Sequence, residues 1–150
     1  MSVGNESRQT FGHYALATAD NLAATGDDRI WDVTQPITVL RVGAVISTAT
    51  VSSADIVVAF DRRITTGSDT GRVAGLNAGA DGVLNIPTAT AAGKVVYKDL
   101  AVDLVPGDQI VAEVTTAAAG GGAAGGAQYF VEWVARHEVA GNLSDMVASS

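Results

Sequence analysis

Asp69-Thr70-Gly71 spells the signature with which aspartic proteases hold one of two carboxylates that share a proton. That chemistry needs a rigid, buried cleft. Here the triplet comes after Thr-Thr-Gly-Ser and before Arg72, the composition of a surface turn. Gly120, Gly122 and Gly125 satisfy G-x-G-x-x-G. A dinucleotide site would need a helix N-terminus next, to hold pyrophosphate. The next residues with a pattern are Tyr-Phe-Val-Glu-Trp-Val, which read as a strand, so the glycines read as a flexible loop. His13 and His137 are far apart and in no metal-binding spacing. No serine sits in a G-x-S-x-G elbow. Asp61, Asp69 and Asp81 bracket a long loop and Asp27-Asp28 lies in another. Such oxygens suit Ca²⁺, but they match no EF-hand spacing, and solvated acidic loops are the simpler account. No catalytic residue, metal ligand or cofactor is therefore assigned, and the chain is expected not to be an enzyme.

Two further groups could make contacts rather than reactions. Asp61-Arg62-Arg63 sets two cations beside an anion at a strand end. The bland reading is a local ion pair; the functional one is Arg62 and Arg63 pairing with an acidic patch on a partner. Trp31, Trp133, Tyr97 and Tyr129 could stack sugars, yet three Phe, two Trp and three Tyr are few enough to be needed inside. Core is the expectation for Trp133.

Composition narrows the field. The 150 residues carry 9 Lys and Arg against 16 Asp and Glu, a net charge of -7, with 47 % apolar residues and no Cys. An acidic surface disfavours nucleic acid, which binds clustered Lys and Arg. Without Cys, disulfides and thiolate chemistry are excluded. The first twenty residues lack a basic region leading into an apolar core, so no secretory signal is expected. The uncharged run Val114 to Val131 is too rich in Gly and Ala to span a membrane.

The elements that must position these residues read as strands. Residues 1–27 form a polar arm or a short helix over Tyr14 to Ala23, closed by a turn at Gly26-Asp27-Asp28; residues 28–150 form the body. Within the body, short strands are expected at 30–33, 37–46, 54–61, 83–86, 94–100, 101–104, 109–116 and 127–136. Period-2 alternation assigns inward faces to Leu40, Val42, Ala44 and Ile46; to Ile56, Val58 and Phe60; to Ile110, Ala112 and Val114; and to Tyr129, Val131, Trp133 and Ala135. Pro106-Gly107-Asp108 is the clearest turn. Many short strands without helical period predict an all-β fold: one antiparallel β-sandwich, jelly-roll-like, with an N-terminal arm.

Ala92-Gly-Lys-Val-Val-Tyr-Lys-Asp-Leu100 and Asp103-Leu-Val-Pro-Gly-Asp-Gln-Ile-Val-Ala-Glu-Val-Thr115 resemble segments of small β-sandwich virion proteins of tailed bacteriophages. Phe60-Asp-Arg-Arg63 and Asn142-Leu-Ser-Asp-Met-Val-Ala-Ser149 extend the likeness over roughly residues 35 to 150. That group is similar to head decoration, or cement, proteins. The resemblance implies a non-catalytic structural protein, made in the host cytoplasm and carried on the outer surface of the virion. Its partners would be the major capsid protein and further copies of itself, as a homotrimer. The arm, with Phe11 and Tyr14, and the Arg62–Arg63 pair would make the contacts. A carbohydrate- or receptor-binding module of a phage fibre is the rival expectation.

Overall fold

The computed structural model describes residues 11–15, 20–64, 72–73 and 82–136; of these, 11–15, 20, 27–30, 64 and 72–73 are described by their backbone. In chain order the strands are β1 Phe11–Ala15, β2 Asp20–Asn21, β3 Gly26–Asp32, β4 Ile37–Val51, β5 Ile56–Ile64, β6 Arg72–Val73, β7 Val83–Ile86, β8 Val95–Leu104, β9 Asp108–Thr116 and β10 Ala124–Ala135. They form two antiparallel five-stranded sheets. One runs β1-β10-β4-β8, with β2 also on β10; the other runs β3-β9-β5-β6, with β7 also on β5. The fold is a β-sandwich, as the alternation predicts.

The chain changes sheet at most connections, and no two consecutive strands pair in the first sheet. The core fills the space between. Ile56, Val58 and Phe60 of β5 and Ile110, Ala112 and Val114 of β9 meet Val42, Ala44 and Ile46 of β4 and Ala127, Tyr129 and Val131 of β10. Phe60 meets Tyr129 edge to face, with ring centroids 5.8 Å apart. Trp31 stacks on Trp133 at 5.1 Å, joining β3 to β10 across the sandwich. Aromatic pairs in these arrangements add about 1 kcal/mol each beyond the area they bury.

β4 departs from simple alternation. Glu132 pairs with Arg41 but Trp133 with Val39, so Leu40 is an extra residue in the ladder. This bulge reverses the parity of everything before it. Ile37 and Val39 point into the core, and Leu40, expected there with Val42, is only half-buried.

The N-terminal segment also differs from expectation. Over the described residues it is strand and turn, not a helix, and Gly26-Asp27-Asp28 starts β3 instead of forming the turn. Nor do the strands respect a break at residue 27. β1 and β2 pair with β10, and Leu22 is fully buried in the core, its N–H donated to Gly125 O and its carbonyl accepting from Ala118 N. The long loop expected between Asp61 and Asp81 is shorter at its start, since β5 runs on to Ile64.

Candidate functional site

The turn that begins β9 shows how local sequence places a charge. Pro106 presets the second position, Gly107 takes φ 97° at the third, and Asp108 N–H donates to Val105 O at 3.1 Å, a type II turn. The Asp108 carboxylate, almost fully buried, then folds back. Its Oδ2 accepts from Val105 N–H at 3.0 Å, and its Oδ1 lies 3.0 Å from Arg62 Nε. The Arg62 contact is an ion pair and not an aligned hydrogen bond. Arg62, read from the sequence either as a local ion pair or as a partner contact, thus neutralises a buried carboxylate while a third of its side chain stays exposed. Arg63, on the opposite face of β5, is half-buried and also engaged.

The other candidate residues lie apart from this pair. Phe11 and Tyr14 fall on β1 opposite Val134 and Val131 of β10. Asp61 is buried and engaged. Asp69-Thr70-Gly71, Asp81 and His137 lie outside the described residues. Among the described residues no three His, Asp or Glu side chains group so as to hold a metal. Gly120 and Gly122 take φ 110° and 78° in the turn before β10, so the G-x-G-x-x-G run opens a strand and not a helix. No helix among the described residues is long and apolar enough to cross a membrane.

The outward face of the first sheet carries a constellation that strand-by-strand reading misses. Register puts Glu132, Arg41 and Asp99 in one row across β10, β4 and β8. Arg41 Nε donates to Asp99 Oδ1 at 2.6 Å and lies 4.0 Å from Glu132 Oε2. Its guanidinium stacks 4.0 Å from the Tyr97 ring centroid. The hydrogen bond to Asp99 raises the Arg41 pKa above its ordinary value, so the charge is constant at any working pH. In the next row Phe130 lies across Gly43, and Tyr97 follows on β8. A shallow open groove of about 560 Å³ adjoins Tyr97 and Val95, between the β7 and β8 edges. Asn85, Pro87, Thr90 and Lys94 are among its walls. Part of the signal for this face is present in the sequence: Arg41 and Glu132 sit opposite assigned inward positions, and Tyr97 and Asp99 fall two apart on the strand expected at 94–100, but only the pairing of β4 with β8 and β10 collects them.

Arg41, set between two carboxylates and a ring, makes a charge-patterned surface. Of the four rings that could stack sugars, Trp133 and Tyr129 are buried, Trp31 is half-buried against Trp133, and Tyr97 is exposed. Comparison of the chain with protein-family models, curated sequences and solved structures finds no match.

Proposed function

We propose that this chain is a structural virion protein that binds the assembled lattice of a tailed-phage capsid and stabilises it without catalysis. The likeness of residues 92–115 and 142–149 to phage decoration proteins motivates the reading. The observation that carries it is the form of the surface: two sheets closed over an apolar core, with an outward face patterned by Arg41, Asp99, Glu132 and Tyr97. Such a face suits docking to a broad partner. Binding the lattice better than free capsid subunits stabilises the lattice by mass action. Many copies gain by effective concentration. Further copies of the chain and the major capsid protein are the partners.

Cosedimentation with undecorated heads tests this. The full chain is expected to pellet with heads and to raise the temperature at which they release DNA. Removing residues 1–10 probes the arm without cutting into β1 or the core. Absence of pelleting by the full chain overturns the reading.

A second reading rests on Tyr97. This exposed ring, beside a groove walled by the Asn85 amide and the Lys94 ammonium, suits a glycan. Glycan-array binding that Tyr97→Ala abolishes, with no affinity for heads, would replace the first reading with this one.

A further inference from the structure

β8 ends its sheet: it pairs with β4 on one side and with no strand among the described residues on the other. It is ten residues long, and an edge of that length offers a row of main-chain donors and acceptors to another strand. Among the described residues four large apolar side chains are exposed: Val51, Val95, Tyr97 and Val105. Val95 and Tyr97 lie on β8, and Val105 lies one residue past its end. The acidic side chains nearby are already held, Asp99 by Arg41 and Asp103 by Thr38 at 2.7 Å. We infer that two copies of this chain join their β8 edges antiparallel about a two-fold axis, making one continuous sheet.

The register follows from parity and charge. Val96, Leu100 and Val102 face the core, while Val95, Tyr97, Asp99, Ala101 and Asp103 face outward. A two-fold axis perpendicular to the sheet keeps outward residues opposite outward ones, and a one-residue slip would break that match. Two such registers give near-complete overlap. Centring on Asp99 sets that carboxylate directly against its own copy, which is unfavourable. Centring on Leu100 opposes no like charges. It sets Asp99 against the partner subunit's Ala101, Tyr97 against the partner subunit's Asp103 and Val95 against the partner subunit's Val105. Two of the exposed valines then cover each other, and the Tyr97 phenol meets a carboxylate. This pairing stands apart from the capsid reading, and it builds twos where the resemblance implies threes.

Sedimentation equilibrium of the full chain is expected to give twice 15.2 kDa. Ala101 is exposed, so its substitutions spare the fold. Ala101→Asp places a carboxylate against Asp99 twice per pair and should weaken dimerisation roughly tenfold, whereas Ala101→Lys should tighten it by a similar factor. The chain has no native cysteine, so Leu100→Cys should form an intersubunit disulfide on oxidation and Ala101→Cys should form far less. A monomer at all concentrations, a trimer, or a dimer indifferent to the sign of charge at residue 101 overturns the inference. The Ala101 variants decide it even if Leu100→Cys fails to fold.

Discussion

At the scale of single residues, Asp108 is the most informative side chain. It serves the turn through Val105 and neutralises Arg62, and both tasks need its carboxylate in a buried place. Asp108→Ala leaves a cation half-buried without its partner and an amide without its acceptor; it should cost about 3 kcal/mol, read by urea denaturation. Gly43 is constrained from another direction. A Cβ there would lie 2.7 Å from Phe130 Cε1 and from the Val96 carbonyl oxygen, the second of which is backbone and cannot move aside. Gly43→Ala should cost more than about 2 kcal/mol, and Phe130→Leu in the same chain should recover only part of it. The turn at Pro106-Gly107-Asp108 is legible in the sequence because proline and glycine act on their own backbone. The Asp108–Arg62 contact is not, because the β5–β9 register alone brings together two residues so far apart along the chain. The same lack of sequence locality hides Arg41, Tyr97, Asp99 and Glu132.

At the scale of elements, inward faces are legible wherever a strand alternates without interruption, as in β5, β9 and the second half of β10. β4 shows the limit. Its bulge at Leu40 is invisible to a period-2 count, since Leu40, Val42, Ala44 and Ile46 keep an unbroken apolar alternation through it. The far end of β4 is tied down at Thr50, whose N–H donates to Thr90 O at 2.9 Å and whose hydroxyl adds two bonds. Thr50 Oγ1 donates to Pro87 O at 3.0 Å and accepts from Thr90 N–H at 2.7 Å, joining β4 to the segment between β7 and β8. Thr50→Val keeps the shape and leaves Pro87 O with the Thr90 hydroxyl at 3.0 Å, but it strips the Thr90 N–H of its acceptor, so a loss of about 1 kcal/mol is expected. Faster amide exchange at Thr90 than in the wild type would localise it. β1 and β2 escape a sequence reading for a similar reason: each is short, and each becomes a strand only because β10 offers it an edge.

At the scale of the whole molecule, the all-β class can be read from the sequence, whereas the strand order cannot, because most connections cross between sheets. Such non-local pairing makes folding slow; refolding from urea should take milliseconds to seconds. Removing residues 1–26 strips β1, β2 and Leu22 from a sheet and a core that need them, so that truncation should lower the melting temperature by more than about 5 °C, while removing 1–10 should not. The paired tryptophans add an optical handle. The chain has only two, and each sheet contributes one to the stack. Their near-ultraviolet dichroism and emission therefore report the distance between the two layers. Should heat or acid pry the layers apart while leaving strands intact, that signal will vanish before the far-ultraviolet band does, giving a built-in gauge of sandwich closure that needs no label.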